Sequence, residues 1–160
     1  MWKKPLANVS DYRARMLTWR SEDSIVRSDK PLRIDKARRY GYKAKTGFVI
    51  LRVRIRKGGR KREQWSGGRK PGNSGIVHFS TSQSLQLISE QRAQRKYPNL
   101  VVLGSYLIGD DGYHKYFELI LVDPVQPNIY KHGLHWTLHK SKNASRGLTP
   151  SGRKSRGLVK

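Results

Sequence analysis

The stretch from Gly47 to Arg56 is mostly apolar, and from Leu51 onward apolar residues alternate with arginines. A period of two is typical of a β-strand with one buried face, so we predict a strand here. Its apolar face would hold Val49, Leu51, Val53 and Ile55, and its other face Phe48, Ile50, Arg52, Arg54 and Arg56. Guanidinium is planar and always charged, and it matches phosphate oxygens with a bidentate fork. We therefore predict that one face of the strand packs against a core and the other faces a polyanion. The alternative is an edge strand whose charges discourage aggregation.

The chain before this strand begins with a predicted helix from Leu6 to Arg20. An apolar stripe runs along it at helical spacing, formed by Val9, Tyr12, Met16 and Trp19. Such a stripe is typical of a surface that packs against a core. The residues that follow, 21–30, are polar and mixed in charge, and they predict a connecting loop.

Two further helices are predicted on either side of the strand. A short one would span Lys36 to Tyr40, with Asp35 as its N-cap and Gly41 as the residue that ends it. A longer one would span Ser82 to Tyr97, because Pro98 stops it. Its N-cap would be one of Ser80, Thr81 and Ser82.

A β-hairpin follows the longer helix. Its strands would be Leu100 to Ile108 and Tyr113 to Val122, joined by the turn-forming sequence Gly-Asp-Asp-Gly at 109–112. From Phe117 onward the second strand is apolar on both faces except at Glu118. This pattern is typical of a central strand that is covered by other elements on both sides.

Two basic segments lack a clear period. Residues 57–75 contain six glycines and indicate a long, flexible, basic loop, which is not a P-loop because no Lys-Ser/Thr pair follows the glycines. From Pro124 onward the pattern dissolves, and residues 125–160 predict an extended basic tail in which Ser-Arg-Gly-Leu occurs at 145–148 and again at 155–158. Without an acidic residue after Asp123, this tail is expected to stay disordered until phosphates neutralise it.

Charge is distributed unevenly along the chain. Of the net +23, residues 31–70 carry +13 and residues 131–160 carry +8, whereas residues 71–130 carry −1. Strongly basic segments around a nearly neutral part are typical of proteins that bind nucleic acid. Cysteine is absent, which excludes disulfides and thiolate metal sites, and no apolar run is long enough to cross a membrane.

The candidate RNA contacts are basic residues of the short helix, the strand, the loop and the tail, with one tyrosine. Aromatic rings between cations suit RNA, because rings stack on bases while cations bind phosphates. The candidates are Arg33, Lys36, Arg38, Arg39, Tyr42, Lys43, Lys45, Arg52, Arg54, Arg56, Lys57, Arg60, Lys61, Arg62, Arg69, Lys70, Arg146, Arg153, Lys154 and Arg156. We predict no catalytic residue, metal, cofactor or small-molecule substrate.

Four stretches between residues 31 and 158 together resemble the archaeal and eukaryotic-type large-subunit ribosomal protein fifteen family. They are DKARRYGYKAKTGFVILRVRIRKGGRKR, QRAQRKYPNL, VLGSYLIGDDGYHKYFELILVDP and RGLTPSGRKSRGL. The resemblance implies an α+β fold, with a small, mostly antiparallel sheet in a split β-α-β arrangement, flanking helices, a long basic loop and an extended basic tail. It also implies that strand 113–122 lies between strands 47–56 and 100–108.

The chain then divides into three parts. Residues 1–30 would be an N-terminal helix and connector, 31–124 the α+β core, and 125–160 the RNA-binding tail. The resemblance implies a structural, non-enzymatic constituent of the large ribosomal subunit that binds and stabilises ribosomal RNA in the cytoplasm. Its partners would be large-subunit ribosomal RNA and neighbouring large-subunit proteins. The family usually has a longer N-terminal helical segment and a longer basic tail than this chain provides.

Other chemistry would need residues that the sequence does not bring together. His135 and His139 have the spacing of a helical zinc site, but no acidic ligand follows Asp123. A metal-independent ribonuclease would need an acid–base pair such as His78 and His114, and nothing in the sequence pairs them. An extra-ribosomal protein that packages nucleic acid is a third possibility, and sedimentation with large subunits would distinguish it.

Overall fold

A computed structural model of the 160-residue chain describes residues 9–58, 67–68 and 81–159. The elements are helix α1 (Val9–Ser21), strand β1 (Ile25–Ser28), helix α2 (Ile34–Arg39), strand β2 (Phe48–Arg56), helix α3 (Leu85–Lys96), strands β3 (Val101–Asp110) and β4 (His114–Val122), helix α4 (Pro127–Lys131), a 3₁₀ helix (His135–His139) and helix α5 (Pro150–Ser155). This sequence of elements confirms the predicted α+β class.

The four strands form one antiparallel sheet in the order β1-β2-β4-β3. Strands β2 and β3 both pair with β4, so they run parallel to each other with α3 as their crossover and β4 between them. The predicted split β-α-β arrangement and the central position of β4 are therefore confirmed. In this register Arg52 of β2 lies opposite Glu118 of β4.

Strand β1 corrects the prediction that residues 21–30 form a loop. It pairs with β2 from Ile25 opposite Val53 to Ser28 opposite Ile50. The strand has only four residues and is bordered by polar and acidic ones, so its alternation is too short to distinguish it from a loop. Its effect is to make β2 an interior strand, because β2 now has a neighbour on each side.

The sheet separates two hydrophobic cores. One face packs against α1, α2 and α4, and its buried residues include Met16, Trp19, Ala37, Ile50, Tyr116, Ile120 and Ile129. The other face packs against α3 and the C-terminal segment, with Leu51, Val53, Ala93, Phe117, Leu119, Leu121 and Ala144. Because both faces are covered, β4 is buried over most of its length, as its apolar sequence predicts.

Glu118, the one charged residue in the apolar part of β4, is buried and fully engaged. It accepts hydrogen bonds from the Tyr106 hydroxyl at 2.7 Å and from the Leu32 N–H at 3.0 Å. Burial raises the pKa of Glu118, and these hydrogen bonds lower it in part. The carboxyl group therefore joins β3, β4 and the chain that leads into α2, instead of facing solvent.

The N-terminal ends of α2 and α3 differ from the predicted ones. Asp35 lies inside the first turn of α2, since Arg33 occupies the N-cap position, whereas Gly41 follows the helix as predicted. For α3 the N-cap is Ser84, whose hydroxyl accepts from the Leu87 N–H at 3.2 Å. Thr81 and Ser82 precede this N-cap position, and Ser80 lies outside the described residues.

The C-terminal segment, residues 125–159, folds back on the core, so the prediction of an extended tail is wrong. The Asn143 carboxamide accepts from the Val102 N–H at 3.2 Å and donates to the Val102 carbonyl at 2.6 Å. The Ala144 N–H donates to the Gln94 side chain at 2.9 Å. Asn143 thus occupies the outer edge of β3 in place of another strand, which satisfies backbone groups that would otherwise be unpaired.

The repeated Ser-Arg-Gly-Leu sequence forms the same structure twice. In both copies a left-handed glycine, Gly147 at φ 68° and Gly157 at φ 70°, ends a helical turn. The following leucine N–H donates to the carbonyl five residues back, at 2.9 and 3.0 Å, as in a Schellman motif. The two turns are in close contact, because a Cβ on Gly152 would lie 2.8 Å from the backbone of Gly147. The repeat is therefore a pair of helix ends rather than part of a flexible tail.

Glu90 connects this segment to α3 and β3. Its fully buried carboxyl accepts from the hydroxyls of Ser105 and Thr149. Thr149 is also the N-cap of α5, since its hydroxyl accepts from the Gly152 N–H at 3.1 Å. Burial raises the pKa of Glu90 above its ordinary 4.5, although both hydroxyls lower it in part.

We expect Glu90 to make stability depend on pH. Its folded-state pKa exceeds its unfolded-state pKa, so the native state binds more protons, and stability falls as pH rises from about 4.5 through the folded-state pKa. Glu90→Gln does not titrate. The difference in unfolding free energy, wild type minus variant, should therefore fall with rising pH in urea titrations. A constant difference between pH 4 and pH 8 would contradict a folded-state pKa of Glu90 that lies above its unfolded-state pKa.

Candidate nucleic-acid interface

The arginine side of β2 faces α1 and is not an open surface. The Arg52 guanidinium lies 4.7 Å from the centroid of the Trp19 ring and pairs with Glu22. Arg54 donates to the carbonyls of Trp19, at 3.2 Å, and of Arg20, at the C-terminal end of α1. A cation at this end also interacts favourably with the helix dipole. Two of the three arginines thus hold α1 against the sheet, which corrects the interpretation of this face as one side open to a polyanion.

Arg56, the third arginine, is exposed, and so are most other candidates that the structure describes. The exposed candidates are Arg38, Arg39, Lys43, Lys45, Arg56, Arg146, Arg153, Lys154 and Arg156. Most of them make no ion pair or hydrogen bond within the described residues; Lys43 lies 3.1 Å from His132 Nδ1, and Arg156 is 3.4 Å from the Arg146 carbonyl. Their charges therefore face solvent at α2 and the chain that follows it, at the end of β2, and at the repeated turns.

The remaining described candidates are partly buried. Lys57 donates to Asp110 at 2.8 Å, and Arg33 pairs with Asp35 at 3.4 Å. Tyr42 packs edge-on against Phe48, with ring centroids 5.7 Å apart, so its ring belongs to the core more than to an open stacking surface. Lys36 is half-buried as well. Arg60, Lys61, Arg62, Arg69 and Lys70 of the predicted basic loop lie outside the described residues.

The Gly-Asp-Asp-Gly turn between β3 and β4 connects the sheet to α1. Asp111 accepts from Arg20 of α1 at 2.8 Å, from the Tyr116 hydroxyl at 3.1 Å and from two turn amides. Burial alone would raise the pKa of Asp111, but Arg20 and these hydrogen bonds hold it well below its ordinary value. The pKa of Asp110 is lowered too, first by its hydrogen bond from Lys57. Both carboxylates already have protein partners.

The histidines do not form a catalytic or metal-binding arrangement among the described residues. His135 and His139 lie on a 3₁₀ helix, where positions four apart are displaced by about a third of a turn and do not share a face. No group of three His, Cys, Asp or Glu residues close enough for a metal occurs in the part of the chain that the structure describes. His114 lies 3.5 Å from Asp111, and His78 lies outside the described residues.

Two side chains near the basic residues were not selected from the sequence. Trp136 is 40% exposed, and it lines a cleft together with Lys140 and Arg153. Periodicity could not identify them, because they lie on a 3₁₀ helix and at its C-cap. A tryptophan between basic residues was the available signal.

Comparison with known families gives a match that spans the whole chain. The family model described as Ribosomal L15 matches residues 1–160. This match agrees with the resemblance carried by the four motifs. Among the described residues, no helix combines the length and the apolar character needed to cross a membrane.

Proposed function

The chain belongs to the ribosomal L15 family of large-subunit ribosomal proteins, and on that basis we propose that it binds and stabilises ribosomal RNA without catalysing a reaction. The family match over all 160 residues carries this proposal. The exposed cations support it, because exposed charges on a folded surface are available to neutralise phosphates. No arrangement among the described residues favours a second function.

The folded core would hold two groups of cations in fixed positions. One group lies at α2 and the residues after it, and the other lies on the repeated C-terminal turns, which the buried contacts of Asn143 and Thr149 attach to the sheet. Fixed cations between RNA helices reduce phosphate repulsion, and the shape of the surface selects the RNA geometry. Arg52 and Arg54 would act indirectly by positioning α1.

The individual candidates are expected to differ in how directly they bind RNA. We propose that the exposed candidates contact phosphate directly, and that the basic residues of 57–75 add to them. Large-subunit ribosomal RNA would be the main partner and neighbouring large-subunit proteins the others, in the cytoplasm. Lys57 and Arg33 would contribute less, because each already has a carboxylate partner.

The test is sedimentation of the tagged, full-length protein from cells on a sucrose gradient. We expect it to sediment with large ribosomal subunits, to be released as salt is raised, and to leave the RNA of those subunits intact. A protein that stays in the unbound fractions, or spreads over all cellular RNA, would contradict the structural role. Cleaved RNA after incubation with pure protein would instead support the ribonuclease alternative.

A further inference from the structure

A cleft of about 320 Å³ lies between β3 and the C-terminal segment. Its volume falls within the range of clefts that bind small ligands. Apolar side chains form most of its lining, among them Val102, Leu103, Trp136, Leu148, Pro150 and Val159. The cleft is separate from the exposed cations of α2, and one of its borders is the repeated segment.

The polar groups in the lining are already engaged. The Asn143 carboxamide bonds to both backbone groups of Val102, and the Thr149 hydroxyl donates to Glu90 while it accepts from Gly152. These side chains are therefore not available as hydrogen-bond partners for an occupant. The apolar side chains of the lining would hold it instead. A flat aromatic ring meets this requirement, since it can insert without needing polar partners along its surface.

The border of the cleft is positively charged. Lys140 and Arg153 both line it, and neither makes an ion pair or hydrogen bond within the described residues. Residues 131–160 contain no acidic side chain. Trp136, which is 40% exposed, lines the same cleft as these cations. An aromatic wall, an apolar interior and two cations at the border complement a molecule that is both flat and anionic.

We propose that this cleft receives one unpaired nucleotide of ribosomal RNA, with its base against Trp136 and its phosphates near Lys140 and Arg153. This inference rests on the proposed function and names the part of the RNA that this site takes. Single-stranded bases stack on aromatic side chains, while base-paired ones are not available. Because the lining offers few free polar groups, the site accepts different bases with similar affinity.

The test compares RNA hairpins with full-length wild-type and Trp136→Ala protein. One hairpin carries a single bulged uridine, and a second carries an abasic nucleotide at the bulge. Base–aromatic stacking implies that Trp136→Ala weakens binding of the bulged hairpin by about 5- to 150-fold. The abasic bulge should weaken wild-type binding by a similar factor, and the two changes together should cost no more than either alone.

Leu138→Ala is the matched control. Leu138 is 44% exposed on the same 3₁₀ helix but is not part of the cleft lining. We expect it to bind the bulged hairpin as the wild type does, and Trp136→Phe to keep most of the affinity because it keeps a ring. Equal affinity of wild type and Trp136→Ala for the bulged hairpin would overturn the proposal, even where salt-dependent RNA binding, and hence the proposed function, remained.

A second measurement needs no variant. A 4-thiouridine placed at the bulge and irradiated with wild-type protein should cross-link to Trp136 or to a neighbouring residue of the cleft. Cross-links confined to α2 and the residues after it would overturn the proposal. A particle structure in which a protein side chain fills the cleft would do the same and would assign the cleft to a neighbouring protein.

Discussion

Asn143→Ala should lower the free energy of unfolding by roughly 2 to 6 kcal/mol. Asn143 is 4% exposed, and its carboxamide bonds to both the N–H and the carbonyl of Val102. Removing it leaves a buried donor and a buried acceptor without partners, and each such group costs about 1 to 3 kcal/mol. Alanine also opens the edge of β3, so the C-terminal segment should detach first. Urea unfolding measures the first effect, and hydrogen exchange of the Leu148 amide, which donates to the Asn143 carbonyl, measures the second.

Asn128→Ala is the control for this prediction. Asn128 also donates a side-chain hydrogen bond, to Thr46, but this bond is exposed to solvent. Its loss should cost less than about 1 kcal/mol, because water replaces the partner. If both variants lost the same stability, Asn143 would not act as the substitute for a neighbouring strand on β3.

The periodic part of the fold could be predicted from the sequence because its side chains alternate between two environments. Strand β2 and the apolar half of β4 are clear in the sequence, and the apolar character of β4 indicates a central strand. The resemblance to the family, and not this pattern, implied that β4 lies between β2 and β3. Strand β1 could not be found in this way, because four residues give too few repeats. Its partner, β2, determines that it is a strand.

The C-terminal segment escaped prediction for a different reason. Its contacts with the core come from single polar side chains, Asn143 and Thr149, that lie between exposed basic residues. A high positive charge indicates disorder only when nothing buried opposes it. Buried hydrogen bonds at fixed positions oppose it here, and no pattern of composition or period reports them.

The candidate site was predicted in part. Exposed cations at α2 and the repeated turns agree with the sequence, because charged residues on short helices usually face water. Arg52 and Arg54 differ, since an aromatic ring and the carbonyls that end α1 provide partners that the local sequence does not show. Which arginine of β2 is exposed thus depends on a helix more than thirty residues away.

This difference leads to the prediction with the largest effect on RNA binding. A variant with four exposed candidates replaced by Gln should bind ribosomal RNA with a slope of log K against log salt that is shallower by roughly 3 units. Each lost phosphate contact removes about 0.7 to 0.9 from the slope. The four are Arg38, Arg39, Lys45 and Lys154, all exposed and without ion pairs among the described residues. Filter binding across a salt series measures the slope.

A second quadruple variant separates specific contacts from net charge. It replaces four exposed arginines outside the candidate set, Arg13, Arg27, Arg92 and Arg95, and so removes the same charge. Its slope should stay close to that of the wild type if the candidate surface faces the RNA. Equal slopes for the two quadruple variants would mean that binding follows charge alone, without a defined face.

The pair Arg52→Gln and Arg54→Gln should behave differently from both quadruple variants. Their guanidiniums contact Trp19, Glu22 and the end of α1, so the double variant should lose about 1 to 3 kcal/mol of stability, while its salt slope changes little. The stability measurement thus reports whether these arginines hold α1 against the sheet, and the salt slope reports whether they bind phosphate. A slope that fell by two units with unchanged stability would instead place these arginines on the RNA, and α1 would then have to move away from the sheet when the protein binds.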